Sequence, residues 1–407
     1  MNKQKIIKSS RSYAATLAAG EVSSLRIKED ESTVIRVYEN GRIGIAGRIG
    51  GGDDGALEAQ AEAALSQNIP YPDGMASGGE RKIDLRGGMI PEEDFLGAVK
   101  HFAARLKERF PGFIFSDKFI MSDVSSSYRD SAGTDLSYAD NAVQITFMIK
   151  EAGSANIFDL DYCAERRFFD EDAAVEDIAK LLDVYSVKLP MPEEKLPVII
   201  NTGITRYLLS HIVAEVYSSG ASLFSGKLGK KLFDKKVNML MDCTPGKNIL
   251  VPFFDCEGVT LADDKFYFVK EGKLCGLATY RRSAQSLGLP LSGNGYADFD
   301  AVPQCGNFSG IELSSGGGKL SEVFRGRAIY IAEISGGDMT PDGKFATPVM
   351  LAYLYDNGKL AGTLPEFGIS ANIYDFLGKD LIAIAKNDIF SYKEEDVIVA
   401  GFNIDKK

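Results

Sequence analysis

Two extended apolar runs, Thr33–Tyr38 and Arg42–Ala46, flank Asn40-Gly41. An Asn-Gly pair between such runs accepts the positive φ of a type I′ turn, so this stretch predicts a β-hairpin. Asp53 and Asp54 then precede ALEAQAEAALSQ, which reads as a helix capped by a carboxylate. A second helix is predicted over Glu92–Phe110, opened by Pro91 and stopped at Pro111-Gly112. From Ser116 to Phe169 the pattern turns to strands broken by Gly and Asp: FIMSDVSSSYRDS, LSYADNAVQITFMIKEAG and SANIFDLDYCAERRF. Three neighbouring strands pair most economically as an antiparallel meander. A helix over Asp172–Ser186 follows.

Pro190, Pro192 and Pro197 mark a linker, which places a domain boundary there: an N-terminal α+β domain over 1–190 and a β-rich C-terminal domain over 191–407. In the second, VIINTG predicts a strand and turn. ITRYLLSHIVAEVYSS predicts a central helix with Leu208, Leu209, Ile212, Val213 and Val216 on one side. A shorter helix is expected over Leu223–Phe233. The remainder is rich in strand signals and contains two similar hairpins, YFVKEGKLCGL from Tyr267 and YLYDNGKLAGT from Tyr353, each with a Gly at the turn. The fold class is α+β, with helices grouped rather than alternating with strands.

Composition narrows the function. A chain of 407 residues with a net charge of -11 projects a field that repels phosphate backbones, so nucleic acid is not the expected partner. No stretch reads as a membrane span and the N-terminus has no apolar core of a secretory signal, which points to the cytoplasm. The five cysteines are odd in number, widely spaced and without a C-x-x-C pair, so they read as buried thiols. With only two histidines, a zinc site built from three or more is impossible; a mixed site with cysteine or carboxylate stays open.

Several motifs carry chemistry on paper. Gly50-x-Gly52-x-x-Gly55 has the spacing of a dinucleotide loop, but Asp53 and Asp54 would face the pyrophosphate. Gly316-Gly317-Gly318-Lys319 is followed by Leu320 and is not a P-loop. KLGKKLFDKK, Lys227–Lys236, would form the solvated face of a helix or a patch for an acidic partner. Asp255 and Glu257 straddle Cys256, and strand alternation would put both carboxylates on one side, suited to acid–base work or to plain solvation. His101 falls in a predicted amphipathic helix as a structural residue.

The segments RYLLSHIVAEVYSSGASLFSGKLGKKLF, FFDCEGV, FYFVKEGKL, ISGGDMTPDGKFATPVMLAYLYDNGKL and AIAKNDI resemble, in order and spacing, the TldD/PmbA family, whose members are also called modulators of DNA gyrase. The resemblance is strongest over Gly203–Ile389 and implies a metallopeptidase framework. Active TldD-type subunits carry H-E-x-x-x-H on the central helix and complete a zinc site with a C-terminal cysteine. The matching hexad here is Arg206-Tyr207-Leu208-Leu209-Ser210-His211, and no cysteine follows Cys305. A protonated guanidinium has no lone pair to give a metal, and a phenol is a poor general base.

The resemblance is closest to the PmbA, or TldE, branch, which shares this degeneration. It implies a non-catalytic subunit with no cofactor of its own, zinc being expected only in a TldD-like partner, and peptides as substrates of the pair. Arg206, Tyr207, His211 and Glu215 would line the peptide chamber, the last two sharing a helix face four residues apart. Three alternatives stand beside this reading: a homodimeric peptide-binding protein without hydrolysis, an enzyme using Asp255/Glu257 or Cys256, and a modulator acting on gyrase.

Overall fold

The structure is a computed structural model describing residues 1–406 apart from Ser77, Ser315, Ser391, Lys393 and Glu394. The α+β class holds, and the chain forms two compact units interleaved in sequence. The first comprises Met1–Glu171, Asp242–Phe266 and Ala278–Gly310, the second Asp172–Met241, Tyr267–Leu277 and Ile311–Lys407. A single division at residue 190 is therefore replaced by repeated exchange between units, because both late segments of the first unit bury side chains against its N-terminal sheet.

That sheet opens on a long antiparallel pair, β1 (Asn2–Ala18) and β2 (Glu21–Glu39). The predicted hairpin joins β2 to β3 (Arg42–Ile49), with Asn40 and Gly41 at φ 52° and 72°. The strands β4 (Ile69–Pro70), β5 (Gly79–Asp84), β6 (Phe113–Asp130), β7 (Thr134–Glu151) and β8 (Leu160–Arg166) complete it. Its order is β4-β3-β2-β1-β6-β7-β5, with β8 also paired to β7; β6, β7 and β8 are the expected meander, and β5 alone runs parallel, against β7.

Helix α1 (Asp54–Ala64) is capped by Asp53, whose carboxylate accepts the amides of Gly55 and Ala56. Leu57 and Ala61 pack on Ile35, Val37 and Ala46. The approach needs Gly44, where a Cβ would lie 2.0 Å from the carbonyl oxygen of Ala61. Helix α2 (Glu92–Arg109) buries Phe95, Val99, Phe102, Ala103 and Leu106. Phe102 stacks on Phe147 at 5.9 Å, and Phe95 meets Tyr13 at 5.8 Å.

Strand β1 changes its buried face along its length. Gln4 and Ile6 are buried near its start and Tyr13, Ala15 and Leu17 near its end, a switch from even to odd positions and hence from one face to the other. The odd set lies under α2. Of the even set, Ile6 joins a cluster of Tyr128, Leu136, Tyr138, Phe253 and Phe254, and Gln4 accepts the Tyr38 hydroxyl. The partly exposed, largely polar stretch Ile7–Ser12 lies between the two, and Ser9 bonds Ser125 of β6 at 2.8 Å.

The second unit is built on a mixed sheet in the order Leu381–Ala385, Val397–Ala400, Val198–Asn201, Arg327–Ile334, Lys344–Asp356, Phe367–Asn372 and Asn403–Lys406. Its helix Glu171–Tyr185 buries Val175, Ile178, Leu181 and Leu182. Both predicted hairpins form, with Glu271-Gly272 and Asn357-Gly358 at positive φ.

The central helix is not continuous. After Asn201, whose side chain accepts the Gly203 amide, Thr202–Leu208 winds as 3₁₀, Leu209–Ile212 as one α-turn, and Val213 breaks the run at φ −63°, ψ 126° before Ala214–Ser218 resumes. The carbonyl of His211, which an uninterrupted helix would give to residue 215, instead accepts the Ser222 hydroxyl at 2.6 Å. The helix expected over Leu223–Phe233 does not form either. Gly226 and Gly229 take φ of 71° and 83°, which no helix allows, and the segment is a string of turns. The basic run thus lies on irregular backbone, not on a helix face.

Candidate functional site

The hexad Arg206–His211 lies in the second unit. Arg206 is open to solvent, its side chain 77% exposed, and its guanidinium stands 3.8 Å from Glu395. Tyr207 turns the other way: its hydroxyl lies 3.3 and 3.2 Å from the carbonyl oxygens of Gly336 and Gly337, while its ring packs on Phe345 at 5.2 Å. His211 is half-buried. Its Nδ1 accepts the backbone amide of Leu223 at 3.2 Å, and its ring sits edge-on to Phe224 at 6.0 Å. Burial holds the imidazole below its ordinary pKa. A neutral ring that accepts at Nδ1 carries its proton on Nε2. Glu215 is exposed beyond the break at Val213, so it does not share a helix face with His211 as the pattern suggested.

These groups do not fit a zinc ion. Arg206 has no lone pair, the Tyr207 phenol is neutral and directed at two carbonyl oxygens, and of the two imidazole nitrogens one is taken by an amide and the other is protonated. Among the described residues no group of three or more His, Cys, Asp and Glu is arranged to hold a metal.

A second constellation, in the first unit, gathers around Asp255 and Glu257. The pair is not on a strand: Phe254 bridges Thr260, and residues between them turn, with the Gly258 amide bonded to the Asp255 carbonyl. Both side chains are buried. Asp255 accepts the amides of Glu257 and Val259 at one oxygen (2.8 and 3.0 Å) and of Gly295 at the other (2.8 Å). Glu257 accepts the Tyr71 hydroxyl at 2.6 Å and the Arg281 amide at 2.9 Å, and the Arg281 guanidinium donates to its carbonyl at 3.0 Å. The buried Arg36 donates to the Cys256 carbonyl at 2.6 Å.

Burial and the neighbouring Glu257 raise the Asp255 pKa well above the carboxylate range. Burial also pushes the Cys256 thiol up to about 12, which leaves it protonated and unreactive. The sequence brought Asp255 and Glu257 forward but missed Arg36, Tyr71 and Arg281. An arginine inside the apolar run VIRVY was the one available signal.

Tyr71 and Arg281 also line a cleft of about 770 Å³, between Pro70–Gly74 on one side and Arg282, Ala284, Gln285, Leu289 and Leu291 on the other.

Other sequence candidates resolve into structure. The Asp53 carboxylate caps the helix by accepting the Gly55 and Ala56 amides, so a negative charge stands where a pyrophosphate would have to bind. His101 sits on α2 with its side chain 70% exposed, paired to Glu171 at 3.0 Å. Not all thiols are buried: Cys243 is, but Cys163 and Cys275 are exposed. No described helix is long and apolar enough to cross a membrane.

The model of the PmbA/TldA metallopeptidase C-terminal domain matches residues 193–402, just over half of the chain. The chain belongs to the PmbA/TldD family. A metalloprotease of Archaeoglobus fulgidus is 24% identical over 385 residues, covering 89% of this chain and 86% of that protein. A metalloprotease of Methanothermobacter thermautotrophicus is 23% identical over 274 residues, 64% of this chain and 60% of that one. Among solved structures, TldE of Thermococcus kodakarensis superposes with a TM-score of 0.74 at 17% identity, covering 100% of this chain and 97% of that one. A candidate modulator of DNA gyrase from Thermotoga maritima gives 0.78 at 16%, covering 99% and 96%. At these identities the solved structures speak to the PmbA/TldD fold alone.

Proposed function

We propose that this chain is the PmbA/TldE-like, non-catalytic subunit of a cytoplasmic TldD/PmbA-type metallopeptidase that acts on peptides or unfolded polypeptide. The observation that carries the reading is the state of the hexad: Tyr207 occupies the place of the general base and is tied to Gly336 and Gly337, while His211 is engaged through Nδ1. Zinc and the activated water then belong to a TldD-like partner, and this chain shapes the chamber. Arg206, exposed and only loosely paired with Glu395, offers a fixed positive charge to a peptide carboxylate. Strand addition would hold the rest of the peptide, since backbone groups bind any sequence.

The test is co-expression with a TldD-like chain, followed by co-purification, metal analysis and a peptidase assay. Stable association, with hydrolysis only in the mixture, is the expected result. Hydrolysis by this chain alone at high purity would overturn the proposal. Peptide binding by a homodimer, with neither turnover nor partner, would replace it with a regulatory role. The gyrase name carried by the Thermotoga neighbour gains no support from a net charge of -11, which disfavours contact with DNA.

A further inference from the structure

Three lysines stand side by side in the second unit, two on a hairpin and one on the irregular segment bridged to its edge. In the hairpin Lys265–Lys270/Lys273–Leu274, Lys270 is directly opposite Lys273. On the other edge of the same short strand, Lys231 faces Lys273 through an antiparallel bridge. The segment is fastened there by bonds from the Leu274 amide to the Lys230 carbonyl (3.0 Å) and from the Leu232 amide to the Gly272 carbonyl (2.8 Å). Directly paired residues point to the same side of a sheet, so Lys231, Lys273 and Lys270 form one rung of like charge.

Like charges opposite one another destabilise a sheet. Among the described residues none of the three has an acidic group within ion-pair distance, although the chain has a net charge of -11 and ion pairs are numerous elsewhere. Lys270 lies over the Tyr267 ring at 4.9 Å. Exposed Lys230, Lys235 and Lys236 extend the patch, and Asp234, 3.8 Å from Lys236, is the one acid paired within it among the described residues.

We propose that the Lys231–Lys273–Lys270 rung is a docking surface for an extended, acidic polypeptide segment. Same-side carboxylates along an extended chain recur every ~6.8 Å, and strands lie ~4.8 Å apart; flexible lysine stems absorb the difference. A nucleic acid fits less well, because its phosphates run on past the patch into the field of a strongly acidic protein, whereas a short acidic segment can end where the lysines end.

The experiment uses the purified full chain without any partner, so it stands apart from the peptidase proposal. Fluorescence anisotropy is read with a labelled peptide alternating Glu and Ala, a Lys-Ala peptide, and a single-stranded DNA of equal charge. The acidic peptide binds, weakens as salt rises, and binds about tenfold less tightly to K231Q/K270Q/K273Q. The Lys-Ala peptide does not bind, and K8Q/K100Q/K118Q behaves as the native chain. Because the glutamines relieve repulsion, K231Q/K270Q/K273Q also melts at or above the native temperature, which separates lost binding from lost folding. Equal peptide affinity for the native and glutamine chains, no binding at all, or tighter binding of DNA than of peptide would each overturn the proposal.

Discussion

The Leu223 amide donates to Nδ1 of His211 across 3.2 Å, and this one bond fixes the chemistry of the imidazole. The ring is held neutral with its proton on Nε2. Nitrogen-detected NMR should report that tautomer and a titration below the ordinary histidine value, in line with burial. A group with a depressed folded pKa of this kind contributes stability above its unfolded pKa and loses it as pH falls through the folded one. Acid unfolding of H211Q should therefore be less steep than that of the native chain at pH values below about 6.5. An imidazole titrating above that value would contradict the assignment.

Tyr207→Phe removes the hydroxyl that reaches two glycine carbonyls and leaves the ring on Phe345 in place. A loss of about 1 kcal/mol is expected in urea unfolding. Amide exchange should quicken around Ser335–Met339 and not in the first unit. Unchanged exchange there would mean that the hydroxyl does not hold the segment.

Installing histidine and glutamate together, as R206H/Y207E, should not produce a zinc protein. The 3₁₀ winding of Thr202–Leu208 and the engaged His211 leave no set of donors facing one point. Metal analysis after dialysis against zinc should find less than one equivalent; a full equivalent would show that geometry was not the obstacle.

Glu257→Gln withdraws a buried charge from Arg281 while keeping the shape of the side chain. Breaking such a pair costs about 3 kcal/mol or more. The drop should appear in chemical denaturation and be accompanied by greater exposure of Tyr71, read by its fluorescence. A variant as stable as the native chain would mean that this network contributes little.

The Asp255 carboxyl, raised by burial and by Glu257, gives the opposite pH sign to His211. A folded pKa above the unfolded one means that the native state holds more protons, so stability is greatest below the unfolded value of 3.8 and falls as pH rises through about 7. D255N should flatten this alkaline decline while lowering stability throughout, since an amide cannot accept all three backbone N–H groups. An alkaline limb identical in the two proteins would count against the assignment.

Local chemistry was legible wherever a side chain acts on its own backbone. Asn40-Gly41, the Asp53 cap and the glycines of the two late hairpins read correctly because turn and cap preferences act within a few residues. The central helix misled for the complementary reason. Its apolar spacing is helical, yet Ser222, eleven residues on, takes the His211 carbonyl and the backbone breaks at Val213. The network around Glu257 could not be assembled from the sequence because its members converge from positions 36, 71 and 281, which no local pattern links; only Arg36, inside an apolar run, stood out.

The interleaving of the two units also bears on how the chain is made. Tyr128, Leu136 and Tyr138 leave the ribosome well before Phe253 and Phe254, the residues that close over them. At ordinary rates of translation the nascent sheet waits on the order of ten seconds with that apolar surface uncovered. Synthesis from the N-terminus therefore cannot finish the first unit before starting the second, and the first unit's last side chains reach it only once residue 310 has emerged.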